Sequence, residues 1–158
     1  VKRLIAGAVI AGVAVFAGTA AFDDNTTRDA TGAIIEGGGL GAFVIPEGDC
    51  INLPEENLVE SLEAVPCSQS HDAEVYHLFD MTGASFPGDS AVGDAAAAGC
   101  FDAFHPFVGK AYEYSELHFN AFMPNEDSWN EVDDREIACL IVTLDSSKLT
   151  GSMRGSGR

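Results

Sequence analysis

The hydrophobic pattern divides the chain into one long apolar block, a polar and glycine-rich stretch, and a series of short alternating segments. Residues 4–22 carry no charge, and these nineteen residues span roughly 28 Å at helical rise, about the thickness of a bilayer core. Lys2 and Arg3 precede the block and Asp23 and Asp24 follow it, which puts the N-terminus in the cytoplasm. The block reads as a transmembrane anchor. The alternative is a signal peptide cleaved near Gly18, Thr19, Ala20 and Ala21. Residues 23–42 read as a flexible acidic and glycine-rich tether, with folded structure expected from Phe43 onward.

Beyond the tether the period is mostly two. Phe43, Val44 and Ile45 predict a short strand, and residues 59–65 a second, stopped by Pro66. Residues 72–79 predict a stronger strand, with Ala73, Val75, His77 and Phe79 on one face and Tyr76 and Leu78 on the other. The alanine-rich stretch after Gly88 predicts the main helix, capped by Asp89 or Ser90 and ending near His105 because Pro106 disfavours helix before it. Leu117, Phe119, Ala121 and Met123 alternate again. Residues 125–130 form a short helical turn carrying Trp129, and residues 135–144 are apolar on both faces, as a central covered strand would be. Leu149 to Met153 add an edge strand, and residues 155–158 read as a frayed tail. The expected fold is α+β: a small, mainly antiparallel sheet with one main helix packed on it, two disulfides and a preceding transmembrane helix.

Charge narrows the partners. The chain has a formal net charge of −17. With Lys2 and Arg3 set aside, six basic residues stand against 25 acidic ones, a formal −19. Such a surface repels phosphate backbones and anionic headgroups, so nucleic acid is excluded as a partner. Export gives the four cysteines meaning, because outside the cytoplasm they imply two disulfides. Three pairings exist. The favoured one joins Cys50 to Cys67 across a short loop and Cys100 to Cys139 between the helix and a late strand.

Several tracts resemble a known family. They are Gly48-Asp49-Cys50, Val65-Pro66-Cys67-Ser68 with His71-Asp72-Ala73-Glu74-Val75, and Gly99-Cys100 in the helix leading to Phe107-Val108-Gly109. Pro124, Trp129, Arg135, Cys139-Leu140 and Leu149-Thr150-Gly151-Ser152 extend the similarity. Together they resemble the septum-formation-related domain of membrane-anchored proteins from high-GC Gram-positive bacteria, over roughly residues 43–154. The resemblance implies topology, an extracytoplasmic location, the disulfides and a link to cell division. It implies no reaction and no catalytic set, and His71, Asp72 and Glu74 enter as motif residues without a role. Pro106 departs from the pattern, which favours a residue that lets the helix run on to Gly109.

Three chemistries compete with a binding role. Cys67 with His71 and Asp72 or Glu74 would make a thiol nucleophile, but it needs a free thiol. A metal site would draw on His71, Asp72, Glu74 and His77, joined by His105 or His118, yet the spacings are wide for chelation from one strand. Paired carboxylates for glycan hydrolysis would involve Asp127 near Trp129, or Glu113 near Tyr112 and Tyr114, with nothing in the spacing to select a pair. The preferred reading is therefore non-catalytic, without cofactor or metal: an anchored module of the cell envelope, binding a division or envelope protein or wall polymer. Tyr112, Tyr114 and Trp129 are its candidate contact residues.

Overall fold

The computed structural model describes residues 10–11, 23–54 and 59–158. The expected transmembrane helix lies outside these residues, except for Ile10 and Ala11. Among the described residues no helix is long and apolar enough to cross a membrane.

The protein is α+β. Its strands are β1 (Ile10–Ala11), β2 (Thr27–Arg28), β3 (Ile34–Glu36), β4 (Gly38–Gly41), β5 (Cys50–Asn52), β6 (Ser61–Val65), β7 (Ser70–His71), β8 (Ala73–Asp80), β9 (Leu117–Met123), β10 (Glu136–Thr143) and β11 (Leu149–Thr150). The helices are α1 (Asp89–Val108) and the short α2 (Glu126–Glu131). Among the described residues, seven strands form one sheet in the order β1-β9-β10-β8-β5-β6-β4. Every pairing in it is antiparallel except that of β1 with β9.

The two-sided apolar run of β10 places it mid-sheet, between β9 and β8. Ile137, Cys139 and Ile141 face α1, while Ala138 and Leu140 face a second cluster on the opposite side. Leu117, Phe119, Ala121 and Met123 of β9 all pack on the α1 side, as their alternation predicts. Strand β8 departs from its predicted alternation. Cys139 pairs with His77 and Leu140 with Val75, so Tyr76 is an inserted residue. Such a bulge shifts the phase of every side chain beyond it. Val75 and Leu78, three apart, therefore share the second cluster, and Tyr76 and Phe79 share the first. His77 and Phe79 do not share a face with Ala73 and Val75.

Helix α1 packs Val92, Ala96, Cys100, Phe104, Phe107 and Val108 on the sheet. Its N-cap is Gly88, with no side-chain cap, so Asp89 belongs to the first turn instead. It runs past Pro106 to Val108 and stops at Gly109 in the left-handed conformation (φ 80°), whose N–H donates to the His105 carbonyl. Pro106 removes a hydrogen bond only from the last turns. Burial of Phe107 and Val108 offsets that loss, and the tail helps. Gly155 N–H donates to the Phe107 carbonyl at 2.7 Å and Gly157 N–H to the Val108 carbonyl at 2.9 Å. Ser115 Oγ also donates to the Arg158 carbonyl. Residues 155–158 are thus a cap for the helix terminus and not a frayed end.

The expected tether is folded as well. Leu40 is fully buried and Ile34 nearly so. Strand β4 pairs with β6, and its outer edge is closed by residues 23–25, through Asn25 N–H to the Gly39 carbonyl and Gly41 N–H to the Asp23 carbonyl. The glycine run is required by close backbone approach. A Cβ on Gly38 would lie 2.3 Å from the Asn25 carbonyl oxygen. Arg28 fastens this strap by donating to both Asp49 carboxylate oxygens, at 2.8 and 2.7 Å. The predicted strand at Phe43, Val44 and Ile45 is instead a turn and irregular chain leading off β4, with Ile45 still buried.

Candidate binding groove

The motif residues converge around one disulfide. Cys50–Cys67 and Cys100–Cys139 are both formed, and no cysteine is free among the described residues. Cys50 begins β5 opposite Glu74 of β8. Glu74 is buried beside the Cys50–Cys67 bridge. One of its oxygens accepts from Ser152 Oγ at 2.5 Å and the other from Met153 N–H at 2.6 Å. Burial pushes its carboxyl above the ordinary value of about 4.5, and those two hydrogen bonds oppose the shift. His71 of β7 is fully buried and pairs with Leu149 of β11. Its Nδ1 lies 2.8 Å from the Gln69 carbonyl, which can only accept, so Nδ1 carries the proton. Nε2 is buried without a hydrogen bond. Asp72 accepts from Leu53 N–H and pairs with Lys148 at 2.7 Å. Glu74 and Asp72 therefore clamp the last segment of the chain to β5 and β8.

That clamp delivers Arg154 to an open groove of about 590 Å³ between β8 and α1. Tyr76, His77 and Phe79 form one wall. Asp102, Ala103 and Pro106 of α1 form the other. The Tyr76 hydroxyl donates to the Cys100 carbonyl at 2.6 Å, and burial holds its phenol protonated far above neutral pH. The His77 and Phe79 rings stack at 5.6 Å with 25° between planes. Gly99 makes room for them, since a Cβ there would lie 2.5 Å from the Phe79 ring. At the far end the Arg154 guanidinium sits 4.5 Å over the Phe107 ring, 3.8 Å from Glu47 Oε1.

Two of the three expected contact residues are not available at the surface. Trp129 is buried, with Phe86 against its edge and the Arg135 guanidinium 3.8 Å over its ring. The capping box of Asn125 and Ser128 starts α2 and turns Trp129 inward. Tyr112 is buried among Phe101, Phe104 and Phe119. Only Tyr114 is exposed, at 78%. Core packing claims both rings: Tyr112 joins the cluster between α1 and β9, and Phe86 and Arg135 cover Trp129.

The competing chemistries fare as follows. Cys67 is oxidised and lacks the thiol that a Cys–His nucleophile requires. The one grouping of three potential metal ligands among the described residues is Cys50, Cys67 and Glu74, and two of its members are joined to each other. His71 and His77 do not join it. Asp127 lies in a separate open depression with Asp89 and Glu126, which the buried Trp129 does not line.

Sequence reasoning missed the His77–Phe79 platform, Arg154 and the Arg28–Asp49 clamp. Gly99 was the available signal: a glycine inside an alanine-rich helix costs about 1 kcal/mol against alanine, so close packing there is the physical reason to expect it.

Fold and groove define a disulfide-stapled α+β domain with a shallow aromatic site and a clamped C-terminal segment. The profile of the family described as Septum formation matches residues 47–158. The chain belongs to that family, whose description suggests a role in cell division. No curated protein matches the chain, and no solved structure does.

Proposed function

We propose that the protein is a non-catalytic binding module of the cell envelope, held at the membrane by residues 4–22 with its domain outside the cytoplasm, and that it serves septum formation. The observation that carries the reading is the groove between β8 and α1, whose lining comes from distant parts of the chain and includes Gly99 and Phe107 of the motif tracts. Two disulfides support an oxidising compartment. The acidic surface supports protein or wall partners over nucleic acid. The partner would be a division or envelope protein, or wall polymer.

The test is localisation. A fluorophore that matures outside the cytoplasm is fused after Arg158 through a flexible linker and followed through the division cycle. Enrichment at the septum is expected. A uniform peripheral signal removes the division role and leaves the anchor. A cytoplasmic or nonfluorescent pool removes the export reading.

A further inference from the structure

The groove shows what it can hold, because the chain itself fills one end. Arg154 lies between an aromatic face, Phe107, and a carboxylate, Glu47. Both Arg154 and Glu47 are exposed, so the pairing is a surface one. Five residues back along α1 from Phe107, roughly 8 Å at helical rise, the same two elements recur. The His77–Phe79 stack supplies the aromatic face, and Asp102, one turn beyond Gly99, supplies the carboxylate. Asp102 is exposed, and among the described residues it forms no ion pair. Small or compact residues, Ala103 and Pro106, separate the two stations and leave a path for an extended backbone.

We propose that the groove binds an extended, arginine-bearing segment of a partner protein. The guanidinium seats against His77 and Phe79 with the Asp102 carboxylate beside it. This inference rests on the binding-module reading and names its ligand. A planar guanidinium suits the site better than an ammonium, because it stacks on a ring while its edge N–H groups reach a carboxylate. A net charge of −17 draws basic segments toward the domain and turns anionic polymers away. Arg154 occupies its own station, so one basic side chain is accommodated at the Asp102 end, and the partner's backbone carbonyls face Arg154.

The experiment measures fluorescence anisotropy of a fluorescein-labelled glycine-serine decapeptide with one central arginine, titrated with the full chain in detergent micelles. The same peptide with citrulline keeps the plane and removes the charge. Saturable binding of the arginine peptide is expected, about tenfold weaker with citrulline. Asp102→Asn and His77→Ala should each weaken it about tenfold as well. Among the described residues the Asp102 side chain makes no hydrogen bond, so its variant should melt at the parent temperature. Asp127→Asn, in the separate acidic depression, should bind as the parent does. Equal affinity in the parent, Asp102→Asn and His77→Ala overturns the proposal, since diffuse acidity would then explain the binding. Absence of binding also overturns it. Saturable binding of an N-acetylglucosamine tetramer in place of the peptide would overturn the arginine ligand while leaving a binding module, which septal localisation tests separately.

Discussion

The two halves of the sheet are held by different forces. On one side, β8, β9 and β10 carry α1, and the contact is a cluster of aromatic and aliphatic side chains tied by Cys100–Cys139. On the other side, β4, β5 and β6 join Val75, Phe122, Ala138 and Leu140 in a second apolar cluster that no residue of α1 enters. There the hold comes from backbone pairing of a glycine-rich strand, from the Arg28–Asp49 ion pair and from Cys50–Cys67. The first half stands on packing. The second stands on polar bonds and chain closure, which makes it the more sensitive to single polar substitutions. The motif residues Glu74 and Asp72 sit on the boundary and join the C-terminal segment to both.

Removing the disulfides one at a time gives the largest effects. Cys100→Ala with Cys139→Ala opens a 39-residue separation, and the loop-entropy relation puts the loss at about 4 kcal/mol. Cys50→Ala with Cys67→Ala opens a separation of 17, for a loss of about 3 kcal/mol. Urea unfolding of the full chain should rank them in that order. The reverse order would mean that the packed half tolerates loss of its bridge, and the contrast would fail.

Arg28→Ala comes next. It leaves Asp49, only 5% exposed, without its cation. Breaking such a pair costs up to 3–5 kcal/mol when fully buried. Arg28 retains one-fifth exposure, so the loss should be nearer about 2 kcal/mol. Hydrogen exchange should quicken in β2, β3 and β4 and stay slow in β10 and α1. Uniform quickening would show that the strap is not a separate unit.

Glu74→Gln should have the smallest effect, and it depends on pH. The Glu74 carboxyl is raised in the folded state, so the folded protein holds this proton more tightly than the unfolded one. Its contribution to stability is fully present below the unfolded value of about 4.5 and is lost as pH rises through the elevated folded value. Glutamine lacks that dependence and loses one acceptor for Ser152 or Met153, at about 1–2 kcal/mol. The deficit of the variant should therefore be greatest near pH 4 and narrow toward pH 7. Asp134 and Glu136 are raised by burial too, but they are present in both proteins and cancel in the difference. A deficit that grows with pH would contradict the burial of Glu74 as the cause.

Strong periodic signals were legible without the structure. The two-faced apolar run became the central strand β10, the alternation of β9 held, and the alanine-rich stretch became α1. Both disulfides joined the favoured pairs. The candidate site was much less legible. His71, Asp72 and Glu74 drew notice as a motif, yet they support the groove from behind. His77 and Phe79, which line it, carried no signal beyond alternation, and the bulge at Tyr76 reversed their face.

Main secondary structure, class of fold and family were written in local pattern, because period, alanine content and cysteine number act locally or by composition. Long-range packing settled that glycines 37–39 serve a strand edge and not a hinge, that α1 outlasts Pro106, and that Trp129 and Tyr112 are core. Each depends on what a distant segment brings within reach: Asn25 against Gly38, the tail on the last carbonyls of α1, and Phe86 against Trp129. Such contacts are set by packing between residues remote in the chain, and local pattern holds no record of them.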